Sequence, residues 1–252
     1  MEEFTIIPIR VGGFKGVPKT VYTYFLDFDK QLDSAIIMYL VKGRDKLLLV
    51  DTGGGDEEWC AKHHRVISRP PDEAPVAALK KMGVAPEDID IVVNTHLHWD
   101  HCFNNELFGK AKIYVQQREL QCAIDPLPTQ AEFYEAHQVG MTPQWLKVYN
   151  RIISLDGDTK LFPGVELVTI PGHTPGMQGV LVNTAGGRYL LASDTLGLFE
   201  NWEGKGRYKH IPSGIHYDLV EYHKTFEKIE RICDHILPGH DPLVFRHKTY
   251  PA

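Results

Sequence analysis

Short apolar runs separated by turn residues dominate the first half of the chain. Residues 5–10, 35–41, 46–50, 89–93 and 112–115 are rich in Ile, Leu and Val and are only four to seven positions long. Runs of that length and composition predict buried strands rather than helices. Residues 73–82 differ: introduced by Pro70-Pro71-Asp72, they carry Ala and Leu at helical spacing and stop at Gly83, which predicts a helix. Residues 103–108 read as a helical turn or two. The stretch 117–150 has frequent Gln and Glu with recurring aromatics (Phe133, Tyr134, Trp145, Tyr149), and its pattern is helical where one is visible. Its aromatics suit core packing, and its place in the chain also suits a substrate-covering insert.

The second half repeats this order. Residues 166–170 form an apolar run that feeds Pro171-Gly172-His173-Thr174-Pro175-Gly176, a His on a tight turn. Residues 188–195 mirror 46–52, since both are apolar runs closing on Asp-Thr. This self-similarity predicts two related α/β halves. Residues 197–217, rich in Gly and aromatics, read as a long loop. Asp218 is placed to cap a helix whose apolar face is Tyr222, Phe226, Ile229 and Ile232. Residues 235–237 then lead to Pro238-Gly239-His240-Asp241-Pro242, a further His on a Gly-containing turn.

Composition narrows the classes. The chain has 252 residues, 43% hydrophobic and 24% charged, enough for a large core. A net charge of −6 and the lack of a long basic run disfavour nucleic acid and anionic membranes as partners. No apolar run approaches the roughly 20 residues of a membrane span. The acidic start, Met1-Glu2-Glu3-Phe4, lacks a basic segment followed by an apolar one, so a cytoplasmic protein is expected. Cys60, Cys102, Cys122 and Cys233 are far apart, with no C-x-x-C, and are expected as buried free thiols.

The densest chemistry is Asn94-Thr95-His96-Leu97-His98-Trp99-Asp100-His101, directly after the run 89–93. Side chains crowded at the end of a rigid strand converge with little loop entropy, and imidazole with carboxylate suits a borderline divalent metal such as zinc. The Gly run after Asp51 has neither a P-loop nor a dinucleotide-binding pattern. Polar groups that follow strands are His96, His98, Asp100, His101, His173, Asp194 and His240. Five imidazoles and two carboxylates exceed the need of one tetrahedral ion and match two ions sharing a carboxylate. The adjacent His63 and His64 are expected on the solvated surface, and Trp99 under or beside the His run.

The H-x-H-x-D-H run, followed by His173, Asp194 and His240, resembles the metallo-β-lactamase superfamily in order and spacing from Asp51-Thr52-Gly53 onward. The resemblance implies a four-layer αββα sandwich spanning 1–252 as one domain, with a helical insert at about 117–150. It implies two zinc ions, or Mn2+, Fe2+ or Co2+ in their place. His96, His98 and His173 would hold the first, Asp100, His101 and His240 the second, and Asp194 would bridge them. Asp100 would orient the attacking hydroxide and carry a proton, and Asp51 would orient the His loop from behind.

Length and the closing Leu-Pro-Gly-His-Asp-Pro look most like the N-acyl homoserine lactonase branch, so the expected substrate is an N-acyl homoserine lactone or a related cyclic ester. A glyoxalase-II-like thioesterase, or another carboxylic ester hydrolase of the same fold, is the alternative. That lactonase branch has a tyrosine three residues after the bridging Asp, where this chain has Gly197. Tyr208 or Tyr217 are then candidates to supply a phenol. Phe103, Trp145, Phe199 and Trp202 are candidates for an apolar substrate pocket, His210 and His216 for lesser substrate contacts. A monomer or a homodimer is expected.

Overall fold

The structure is a computed structural model that describes residues 3–252; Met1 and Glu2, half of the acidic start read above, lie outside the described residues. The first sheet runs β1 (Thr5–Pro18), β2 (Gln31–Lys42), β3 (Leu47–Val50), β4 (Ile91–Val93), β5 (Lys112–Gln116) and β6 (Ile152–Leu155), paired in that order. The second contains β7 (Thr159–Phe162), β8 (Val165–Thr169), β9 (Gln178–Thr184), β10 (Gly187–Ser193) and β11 (His235–Pro238), ordered β11-β10-β9-β8-β7.

Alternation along the strands builds the layers, because successive side chains face opposite sides of a sheet. On β2, Ala35, Ile37, Tyr39 and Val41 meet Val165, Leu167, Val180, Val182, Leu191 and Leu237 of the second sheet, forming the core between the sheets. The intervening Ile36, Met38 and Leu40 point outward. They join Cys60 of α1 (Glu57–His63), Leu79 of α2 (Pro75–Lys80), Cys102 of α3 (Trp99–Cys102) and Cys122 of α4 (Gln117–Ile124). On the far face, Leu181, Leu190, Ala192 and Ile236 pack against Tyr222, Phe226 and Ile229 of α6 (Leu219–Ile232). The result is the expected αββα sandwich, and Asp218 caps α6 through the N–H groups of Val220 and Glu221.

Three segments differ from the pattern reading. β1 is longer than residues 5–10, because bulges between Arg10 and Gly13 and between Phe14 and Val17 let it bend and go on pairing with β2. The stretch 117–150 is α-helical only in α4; turns follow, and a 3-10 stretch, Gln144–Arg151, closes it. The loop 197–217 opens with a short helix, α5 (Phe199–Glu203), because the Asn201 side chain accepts from Leu198 N–H at 2.7 Å and caps that turn. Among the described residues, no helix is long and apolar enough to cross a membrane.

Strand direction decides where the polar residues gather. β3 is parallel to β4 and β10 to β11, and two antiparallel steps through β9 leave β8 running with β10. The segments leaving β3, β4, β8, β10 and β11 carry Asp51, the His run, His173, Asp194 and His240.

Candidate metal centre

The loop from β4 into α3 presents His96, His98, Asp100 and His101, and the turns after β8, β10 and β11 bring His173, Asp194 and His240 to meet it. Three overlapping sets form, each with its ligand atoms within 4.8 Å of one another: His96, His98 and His173; His96, His101 and Asp194; Asp100, His101 and His240. Nε2 of His173 lies 3.2 Å from Nδ1 of His98. The Asp194 carboxylate sits between the sets, with Oδ1 3.3 Å from His101 Nε2 and 3.0 Å from His240 Nε2, and Oδ2 3.5 Å from His173 Nε2.

Groups behind the imidazoles set their direction. The Nδ1–H of His101 donates to Asp51 Oδ2 (2.9 Å), that of His173 to the Ile215 carbonyl (2.8 Å), and that of His240 to the Ala35 carbonyl (2.7 Å). Each contact leaves the Nε2 lone pair facing inward. Nδ1 of His96 meets the Thr95 hydroxyl at 3.1 Å, and that hydroxyl donates to Asp51. Two residues here hold left-handed backbone, Asp51 at φ 57° and Ser193 at φ 44°. Such conformations are strained for non-glycine residues and concentrate at functional sites. They turn the chain sharply at the ends of β3 and β10, the two strands whose sequences mirror each other.

The donor set fits a divalent cation. His96 Nε2, His101 Nε2 and Asp194 Oδ1 are buried without a hydrogen-bond partner, an arrangement that a cation would relieve. Burial lowers His96 and His98 well below the ordinary histidine value, and neighbouring imidazoles add to it. Burial also lowers His173, against the pull of Asp194. His101 and His240 are raised: burial opposes the charge, but Asp194 and Asp100 outweigh it. Burial acts to raise Asp194, yet the His240 and His101 cations hold it well below the carboxylate range.

The cluster forms the floor of a cavity of about 310 Å³. Its apolar wall comprises Phe14, Val21, Trp99, Phe133 and Ile215, with Tyr22, His64, Arg65 and Glu132 also on the lining. Phe133 and Glu132 come from the segment 117–150, so part of that segment walls the cavity. The four aromatics expected to form a pocket stand elsewhere. Phe103 packs on Trp59, Trp145 is buried in the core outside the first sheet, Phe199 packs between the inner and far cores, and Trp202 stacks on His210 at 4.1 Å. Tyr208 lines a separate groove with Tyr24 and Phe25, and Tyr217 packs against the core outside the first sheet. His210 is engaged by Glu230, and His216 lies edge-on to Tyr24; neither lines the cavity. Spacing along the chain places none of these, because loop paths decide them.

His64 is a correction of another kind. Its side chain is 1% exposed, stacks on Trp99 at 4.4 Å and meets Glu135 at 3.1 Å. Glu135, far along the sequence, reaches back to it. Trp99 does lie beside the His run, and its ring fits because residue 54 is glycine: a Cβ there would sit 2.8 Å from the indole. Glu119 also escaped the sequence reading. Fully buried, it accepts from Leu97 N–H, Tyr134 O–H, Thr174 O–H and Gly176 N–H, tying the His run to the His173 turn. A buried acidic residue on an otherwise ordinary helix gave no pattern to find it by.

Comparison with known proteins agrees with this geometry. The family model described as the metallo-beta-lactamase superfamily matches residues 35–240. An N-acyl homoserine lactonase from a Bacillus species is 30% identical over 220 residues, covering 83% of this chain and 82% of that protein. The solved structure of a Bacillus thuringiensis AiiA mutant with N-decanoyl-L-homoserine bound at the active site superposes with a TM-score of 0.79 at 23% identity, covering 100% of this chain and 99% of that one. AidC, described as a dizinc quorum-quenching lactonase, gives 0.67 at 20% identity over 96% of this chain and 89% of its own. With the family match spanning β3 to β11 and every residue of the candidate metal-ligand cluster, the chain belongs to the metallo-β-lactamase superfamily.

Proposed function

We propose that this protein is a two-zinc hydrolase that opens a lactone ring, with an N-acyl homoserine lactone or a related cyclic ester as substrate. The observation that carries the reading is the Asp194 carboxylate, one oxygen facing His101 and His240 and the other facing His173. That is the arrangement a bridging ligand needs. His96, His98 and His173 would hold one ion and Asp100, His101 and His240 the other, with Asp194 shared between them. Two divalent ions so held would supply a nucleophile at neutral pH and polarise an ester carbonyl.

The chain's own residues supply the rest. Asp100 lines the cavity with Oδ2 3.7 Å from both His101 Nε2 and His240 Nε2, placed to orient the nucleophile, take the proton of the hydroxyl once it has added to the ester carbon, and pass that proton to the departing alkoxide. The apolar wall of Phe14, Val21, Phe133 and Ile215 suits a hydrocarbon substituent. Kinship with the Bacillus lactonase, and the homoserine derivative bound in the AiiA mutant, support a cyclic ester over other acyl substrates.

A panel assay on the zinc-loaded protein tests the reading: short and long N-acyl homoserine lactones, plain γ-lactones, an acyl-glutathione thioester and a β-lactam, followed by proton release. Fastest turnover of a lactone is the expected result. Fast thioester turnover with slow lactones would assign the site to glyoxalase-II-like chemistry instead.

A further inference from the structure

The family branch that this chain resembles carries a tyrosine at the position of Gly197, and the structure shows what stands in that space. A Cβ at residue 197 would lie 2.9 Å from Cδ1 of Tyr22, so a side chain there and the Tyr22 ring exclude each other. Tyr22 comes from the turn between β1 and β2, the opposite side of the sandwich in sequence. Among the described residues it is the only hydroxyl-bearing one on the lining of the cavity, and its ring centre lies 5.5 Å from that of His240.

Resting on the lactonase reading, we propose that Tyr22 is a substrate-contacting residue: its phenol donates a hydrogen bond to an ester oxygen on which negative charge develops, on the His240 side of the metal cluster.

The surroundings hold the phenol for that task. Its hydroxyl is 2.7 Å from the buried Ser34 Oγ. With Ser34 donating, the phenolic hydrogen is left free for another acceptor. Burial pushes the phenol well above its ordinary value, Ser34 opposing and the Asp194 and Asp100 charges adding to the rise. The backbone is fixed as well. The Tyr22 carbonyl accepts from Asn201 Nδ2 at 2.7 Å, and Asn201 caps the turn that follows Gly197. The Val21 carbonyl accepts from Ser213 Oγ and from Ile215 N–H, and the Ile215 carbonyl receives the Nδ1–H of His173. Tyr22 and the ligand His173 are thus tied to one short loop. A preorganised donor of this kind acts with little rearrangement at the moment of reaction.

The test is Tyr22→Phe in the zinc-loaded protein, which keeps the ring that fills the space beside Gly197 and removes only the hydroxyl. Zinc content is measured first and is expected to match the wild type, while the melting temperature of the metal-free protein is expected to fall by a few degrees for the lost Ser34 contact. On the best substrate of the panel, kcat is expected to fall about 10–100-fold with a smaller change in KM. Calorimetric binding of the ring-opened hydroxy acid is expected to weaken several-fold, a readout independent of turnover. Unchanged kcat together with unchanged product affinity would overturn the proposal. Should the wild type hydrolyse a thioester or open-chain ester and no lactone, the substrate reading fails while the ratio of variant to wild type on that substrate still decides the role of Tyr22.

Discussion

Oδ2 of Asp51 lies 2.9 Å from Nδ1 of His101, and the same carboxylate accepts from the backbone N–H and the hydroxyl of Thr95. One buried acidic residue at the end of β3 therefore orients His101 directly and His96 through Thr95. Asp51→Ala should weaken zinc affinity by about 10–100-fold, the usual effect of losing a group that orients a ligand. Competition against a chromogenic chelator measures it, and an affinity equal to the wild type would remove Asp51 from the site.

His98→Ala removes the imidazole whose Nδ1 faces His173 Nε2. Metal and activity should be lost together, read as zinc per chain after dialysis and as turnover of the best panel substrate. Tyr208→Phe is the contrast: its hydroxyl contacts Arg207 on the surface, so metal content and turnover should both persist. Full activity in the His98 variant would sink the two-metal reading.

Glu119 has all four of its donors inside the protein. Glu119→Ala strands two backbone N–H groups and two hydroxyls in a dry environment, each of which costs about 1–3 kcal/mol when left unpaired. Urea unfolding of the metal-free variant should show a loss of about 3 kcal/mol or more. A much smaller loss would mean that water enters and takes up the donors.

Asp27 supports the turn that carries Tyr22, receiving Lys19, Lys30 and Lys205. Hydrogen bonds from Lys19, then Lys205 and Lys30, hold its carboxyl well below the usual range. A depressed folded-state value gives stability that is present above the unfolded pKa and lost as pH falls toward the folded one. Asp27→Asn should therefore be less stable than the wild type at pH 7, and the gap should close below about pH 4, where the unfolded carboxylate takes its proton. Urea midpoints of the metal-free proteins between pH 7 and pH 2 check the sign; a gap that stays constant across that range would contradict it.

Much of this protein could be read along the chain because its determinants are local. Short apolar runs ending in turns announced β2, β3, β4, β8 and β10, and strand alternation is dictated by backbone geometry at each position. His96, His98, Asp100 and His101 fall within six residues at the end of one strand, so their nearness needs no knowledge of the rest of the fold. His173, Asp194 and His240 showed themselves as polar residues leaving strands, and the family resemblance placed them with the first four.

What tertiary structure alone decided is the cavity around that cluster. Tyr22 lies next to Gly197, His64 under Glu135, and Phe133 over the floor, contacts that join segments tens of residues or more apart. No periodicity marks such partners, because loops are positioned by what they pack against and not by their own repeat. Phe103, Trp145, Phe199 and Trp202 have the composition of a pocket but the positions of core and surface packing. An aromatic side chain gains comparable free energy from burial in either setting, so its identity does not tell which one it occupies.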